Sequence, residues 1–229
     1  MKLILLPGMD GTGDMFAPFL SVLPETIKPI VVSYPADQEL GYDELTDIAR
    51  EAIPDSGIYS VLGESLSGPI AITLASEADS RLSALFLCCS FVRNPSMALA
   101  AIKPILPVSP VKGALADFAA QYLLGADSCE QRNAVRDSLN KVRAEVIRKR
   151  AREVIDIDVT TDLESVSAPI LYLQAAQDRL VPIGCAQYIR EVAPSAEILR
   201  IDGPHLLLQT EPEHSRDAVV GFLQRSGAI

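Results

Sequence analysis

Ser65 stands in the stretch VLGESLSGPI, residues 61–70, where an apolar run gives way to a segment opened by Pro69. A serine at such a strand-to-helix bend is either a helix cap or a nucleophile held clear of its own backbone. Acyl transfer by serine also requires a base, an acid to orient that base, and N–H donors for the oxyanion. The chain has two histidines. His205 lies in DGPHLLLQTEP, residues 202–212, a Gly-Pro loop after an apolar run. His214 sits among Glu211, Glu213, Ser215 and Arg216 and reads as a solvated side chain. Asp178, in QDRLVP at 177–182, ends another apolar run and is the candidate acid. The loop LLPGMDGTG, residues 5–13, follows the first apolar run. Its Met9 N–H, opposite that of Leu66, completes a candidate oxyanion pair. A phosphate cradle fits less well, because the loop lacks Gly-Lys-Ser/Thr and Phe16 stands where a dinucleotide fingerprint needs glycine.

The elements that must carry these residues follow from the apolar pattern. Strand-length runs at Leu3–Leu6, Ile30–Ser33, Tyr59–Leu62, Leu85–Phe91, Ile170–Gln174 and Ala196–Ile201 alternate with helix-like segments at Met15–Leu23, Tyr42–Ile53, the stretch up to Ala78, and Pro212–Gln224. Near-continuous apolar strands between helices predict a mainly parallel, doubly wound α/β sheet of about six strands, buried on both faces. Ser65, Asp178, His205 and the Met9 loop then all fall at carboxyl ends of strands, the edge where open α/β sheets bind ligands. Between Val92 and about Val166 the alternation breaks. Helical segments are expected over Ser96–Ile102, Val111–Leu124 and Ser128–Ile155, the last broken near Val142, with prolines at 104, 107 and 110 between them.

Thirty acidic against twenty basic side chains give a net charge of −10, which argues against a nucleic-acid binder. No apolar run is long enough to span a membrane. The opening MKLILLPG is too short for a secretory signal and is read as a first strand, so a cytoplasmic protein is expected. Cys88, Cys89, Cys129 and Cys185 show no metal-ligand spacing, and the neighbours Cys88 and Cys89, in an apolar run, are expected as buried thiols. No metal or organic cofactor is called for by the chemistry above.

Gly63-Glu64-Ser65-Leu66-Ser67, the QDRLVP acid and the DGPH base occur in the order Ser…Asp…His, and by these motifs the chain resembles the α/β-hydrolase superfamily of esterases, lipases and carrier-protein methyl esterases. The resemblance covers residues 1–91 and 166–229. It implies an α/β-hydrolase core lacking the two leading strands, with 92–165 as an inserted helical cap, and a serine esterase working through an acyl-enzyme. Two departures from the family pattern matter, Pro7-Gly8 in place of a common His-Gly and the missing leading strands, while Ser67 in place of the final glycine of G-x-S-x-G is a minor one because serine is small. The PGMDGTG loop is also similar to plant chloroplast acyltransferases such as phytyl ester synthases. An acyltransferase with an alcohol acceptor, or a carbon–carbon bond hydrolase or lyase on the same scaffold, therefore remains open beside the esterase.

In the cap, Ile102, Phe118 and Tyr122 are candidate acyl-pocket residues, or packing between cap helices. Lys141–Arg152 holds six basic residues and one acid. Ala144, Ile147, Ala151 and Val154 recur at helical spacing, which predicts that the basic residues face outward. They form either a solvated face with Glu145–Lys149 and Lys149–Glu153 pairs, or a docking strip through Arg148 and Arg152. Its partner would be an anionic carrier such as an acyl-carrier protein or CoA thioester. The principal expected partner is a small ester substrate.

Overall fold

The computed structural model describes residues 1–95, Gln121, Gly125 and 128–229. Six strands form one sheet: β1 (Lys2–Leu6), β2 (Lys28–Val31), β3 (Tyr59–Glu64), β4 (Leu82–Cys88), β5 (Ile170–Ala175) and β6 (Glu197–Ile201). Their order is β2-β1-β3-β4-β5-β6 and every pairing is parallel. The interior strands alternate between two buried faces. Ile4, Leu6, Val61, Leu85, Leu87 and Tyr172 pack into one apolar cluster, while Leu3, Leu5, Leu62, Phe86, Leu171 and Leu173 pack into another. Burial on both sides is why these strands read as unbroken apolar runs rather than alternating ones.

Helices cover both faces. α1 (Ala17–Val22) and the last helix, α9 (Pro212–Arg225), pack against each other on one side. α2 (Tyr42–Glu51) and α3 (Gly68–Ser76) pack together on the other. α2 begins where the Glu44 carboxylate accepts the Gly41 N–H at 2.8 Å, and it buries Tyr42, Leu45, Thr46 and Ala49 at helical spacing. From β1 the chain steps outward to β2, then returns across β1 to β3. The loops after β1 and β3 therefore flank the point where the winding reverses, the expected position of a ligand site. The register pairs Leu6 with Gly63, which sets the β1 loop beside Ser65.

Between β4 and β5 the described helices are α4 (Cys129–Asn140), α5 (Ala144–Asp156) and α6 (Thr160–Ser165). The expected break near Val142 lies between α4 and α5. α4 starts on a capping box: the Ser128 hydroxyl accepts the Gln131 N–H at 3.0 Å, and the Gln131 carboxamide accepts the Ser128 N–H at 3.2 Å. α6, α7 (Gly184–Val192) and α8 (Leu207–Thr210) were not apparent in the sequence. The fourth strand begins three residues earlier than expected and ends before Cys89, whose φ is +48°. The segments 96–102 and 111–124 and the residues Ile102, Phe118 and Tyr122 lie outside the described residues, Gln121 excepted.

One expectation is overturned. Arg150 does not face outward; it is only 1% exposed and ranks among the largest fully buried side chains. The inward face of α5 is Val146, Ile147, Arg150, Val154 and Ile155, so the arginine occupies the centre of the apolar stripe. The backbone carbonyls of Met9, Asp10 and Pro35 opposite it make that placement tolerable. Of the other basic residues, Lys141 pairs with Asp14 at 2.6 Å, Arg143 with Glu145 at 2.5 Å and Lys149 with Glu153 at 2.6 Å. Arg148 and Arg152 are half-buried, and the Arg152 Nε lacks a hydrogen-bond partner among the described residues.

Candidate active site

β3 ends at Glu64, and the chain turns at once through a short 3-10 turn, Ser65–Ser67, into α3. Ser65 takes the turn with φ +49°, a left-handed conformation unfavourable for a side chain bearing Cβ. Its surroundings hold it there. The Ser90 hydroxyl donates to the Ser65 carbonyl at 2.5 Å, and the Tyr172 hydroxyl donates to the Ser90 carbonyl at 2.8 Å. The turn is possible only with small neighbours. A Cβ on Gly63 would stand 2.5 Å from the Ser67 carbonyl oxygen, and one on Gly68 would stand 1.8 Å from the Ser90 Oγ.

Gly63 is where β3 meets the turn and α3, and Gly68 is where α3 meets the segment after β4. Ser67 has space for its hydroxyl and uses it. The Ser67 Oγ donates to the Pro7 carbonyl, so the proton between Ser67 and Tyr34, 3.0 Å apart, comes from the tyrosine hydroxyl. Burial raises the Tyr34 phenol well above its ordinary range, which keeps it a donor. Ser67 thus ties the turn after β3 to Pro7 of the β1 loop.

Asp178 follows β5 and His205 follows β6. The strand-end loops are tied together by the Ala176 N–H to the Ile201 carbonyl at 2.8 Å and the Gln177 N–H to the Gly203 carbonyl at 3.0 Å. Asp178 Oδ1 accepts the N–H groups of Leu180 and Val181, both at 2.8 Å, which fixes the carboxylate plane. Its Oδ2 lies 2.8 Å from His205 Nδ1, and His205 Nε2 lies 3.0 Å from Ser65 Oγ. An ionised carboxylate only accepts, so the hydrogen-bond network assigns the proton to Nδ1 and leaves the Nε2 lone pair for the serine hydroxyl. Asp178 and His205 are both almost fully buried, at 6% and 4% side-chain exposure. His214 is exposed and bonded to Glu211, as its sequence context predicts.

The β1 loop runs against the serine. A Cβ on Gly8 would come within 3.8 Å of Ser65 Cβ. The Gly11 N–H donates to the Gly8 carbonyl at 3.0 Å and so orients the peptide that carries the Met9 N–H on its opposite side. Leu66, buried, is the middle residue of the turn into α3. Met9 directly follows Gly8 in the β1 loop, and Leu66 directly follows Ser65.

Glu64 was not singled out in the sequence. Its carboxyl is buried behind Ser65, 2.9 Å from the Gln209 Nε2 that donates to it. Desolvation pushes its pKa up to about 7; nearby Asp10 adds to the rise, while Gln209 and His205 oppose it. Residues with metal-ligand character also meet here. Cys89 Sγ, an Asp178 oxygen and a His205 nitrogen lie within 4.8 Å of one another, the single such group among the described residues. Asp178 and His205 already satisfy each other in it. The four cysteines are thiols, with Cys88 and Cys89 buried.

No protein-family model matches the chain. It is 24% identical over 245 residues to a protein of Caulobacter sp. (strain K31) named as the carbamate hydrolase RutD, an alignment covering 98% of this chain and 91% of that one. It is 27% identical over 175 residues, 69% of each chain, to a pimeloyl-(acyl-carrier protein) methyl ester esterase of Aromatoleum aromaticum. A solved hydrolase from Oleispira antarctica matches 97% of this chain and 90% of its own at a TM-score of 0.85 and 20% identity. Sheet order and these likenesses make the chain an α/β-hydrolase in fold. Among the described residues, no helix is long and apolar enough to cross a membrane.

Proposed function

We infer that the protein is a serine hydrolase that cleaves a carboxylic ester of a small or acyl-chain substrate through an acyl-enzyme. The observation that carries this reading is the unbroken line from Asp178 through His205 to Ser65, with separations of 2.8 and 3.0 Å. In this mechanism His205 Nε2 takes the Ser65 proton as Oγ attacks the ester carbonyl. The oxyanion rests on the Met9 and Leu66 N–H groups, and Asp178 stabilises the imidazolium. His205 then protonates the departing alcohol, and water, activated by the same imidazole, releases the acid. The insert 92–165 acts as a cap that sets acyl selectivity, with Ile102, Phe118 and Tyr122 as its candidate lining. The names of the two relatives support a carbonyl flanked by a heteroatom as the target, and the second supports a carrier-borne ester within its range.

The test is a series of p-nitrophenyl esters of rising chain length, turned over by the wild type and by Ser65→Ala. The variant should lose on the order of 10³-fold or more in kcat. Near wild-type turnover by Ser65→Ala would falsify the assignment. Adding an alcohol and analysing products separates hydrolysis from transfer: free acid supports the hydrolase, a new ester the acyltransferase.

A further inference from the structure

Arg150 belongs to α5, in the segment between β4 and β5, yet its guanidinium ends at the oxyanion loop of the core. Nη1 donates to the carbonyls of Met9 at 3.0 Å and Asp10 at 2.7 Å, and Nη2 donates to the carbonyl of Pro35 at 3.0 Å. The side chain is buried, and desolvation lowers its pKa. Its hydrogen bonds to Met9, Asp10 and Pro35 all go to backbone oxygens, so it neutralises no carboxylate through them. Instead its rigid fork gathers two separate loops, a geometry that an ammonium cannot copy. The Tyr34 ring lies 5.7 Å from its centre. Gly11 makes room for it: φ is +71° there, and a Cβ would stand 2.5 Å from Nη1.

The consequence for the site follows from peptide planarity. Met9 is the proposed oxyanion donor, and the direction of its N–H depends on the peptides on both sides of it. Gly11 holds the Gly8 carbonyl; Arg150 holds the Met9 and Asp10 carbonyls. Fixing those oxygens fixes the loop, since each planar unit turns as a whole. The same inserted segment reaches the loop a second time, through the Ser138 hydroxyl on α4, which donates to Asp10 Oδ2 at 2.6 Å. The Arg143 N–H, at the start of α5, also donates to the Ala36 carbonyl at 2.9 Å, beside Pro35.

Resting on the serine-hydrolase reading above, we propose that Arg150 is a positioning residue for oxyanion stabilisation, making the catalytic competence of the core depend on the docking of α5. It touches no reacting atom. Its removal lets the Met9 peptide rotate, and the loss falls on the transition state rather than on substrate binding.

The experiment compares wild type, Arg150→Met, Arg150→Lys and Ser65→Ala with a short p-nitrophenyl ester, and measures inhibition by an alkyl boronic acid, whose tetrahedral adduct occupies the oxyanion position. Arg150→Met should lower kcat by about 10²-fold, comparable to removing one oxyanion donor, with KM changed less than about threefold. Boronic acid affinity should fall in proportion to kcat/KM, and Arg150→Lys should recover only part of either. Circular dichroism and a thermal melt establish that the variants are folded at the assay temperature. If Arg150→Met does not fold, Arg150→Lys decides by the same ratio. A folded variant that keeps kcat, or loses only through KM, overturns the proposal. Should Ser65→Ala also retain activity, the serine-hydrolase reading itself is at fault; an inactive Ser65→Ala beside a fully active Arg150 variant rejects the role of Arg150 alone.

Discussion

At the scale of single residues, the site places a carboxyl where a charge is hard to hold. Glu64 directly precedes Ser65, near Gln209 of α8, Asp10 of the β1 loop and His205 of the β6 loop. Its pKa of about 7 exceeds the ordinary 4.5, so folding favours the protonated form. The unfolded chain releases this proton near 4.5 and the folded chain near 7. Stability from this group is therefore fully present below about 4.5 and is lost as pH rises through 7. Glu64→Gln removes that dependence while keeping a partner for Gln209. In chemical denaturation at pH 5, 7 and 9 the variant should gain on the wild type as pH rises, by an order of 1–3 kcal/mol at pH 9. A constant difference across the range would show that the carboxyl ionises freely.

At the scale of elements, the turn from β3 into α3 is held by side chains from neighbouring strands. Ser67 links the turn to the β1 loop through Pro7 and to the loop after β2 through Tyr34. Ser67→Ala leaves the Pro7 carbonyl and the Tyr34 hydroxyl buried without this partner, and should cost about 1–3 kcal/mol in urea unfolding. In Ser67→Ala combined with Tyr34→Phe the loss should be smaller than the sum of the single variants, because the stranded hydroxyl is gone. Strict additivity would mean that the two hydroxyls do not interact. The six strands and Ser65, Asp178 and His205 were legible because each depends on a local signal: an apolar run, a bend with glycines, or a polar residue just past a strand. The role of Ser67 was not legible, since its partners lie 60 and 33 positions away. Arg150 was misread for a related reason. Apolar spacing in α5 predicts a face, but it cannot anticipate carbonyls at Met9, Asp10 and Pro35 that let a guanidinium occupy that face. The four-residue α8 left too short a pattern to separate it from loop.

At the scale of the whole molecule, charge decides how substrates arrive. The net charge is −10, and the basic segment 141–152 offsets it less than its composition suggests. Lys141, Arg143 and Lys149 are engaged with acids, and Arg150 is buried. The long-range field should repel an anionic substrate at low salt and fade as the Debye length falls from about 30 Å at 0.01 M to 10 Å at 0.1 M. The kcat/KM for a small anionic ester, such as a monomethyl dicarboxylate, should therefore rise severalfold between those salt concentrations, while that for a neutral ester of equal size stays constant. An acyl-carrier protein docking through Arg148 and Arg152 would reverse the sign, because salt would then weaken a local attraction that Arg148→Glu with Arg152→Glu also abolishes. A fall in kcat/KM for the small anionic ester with added salt would show that a local basic site, and not the net charge, governs its approach.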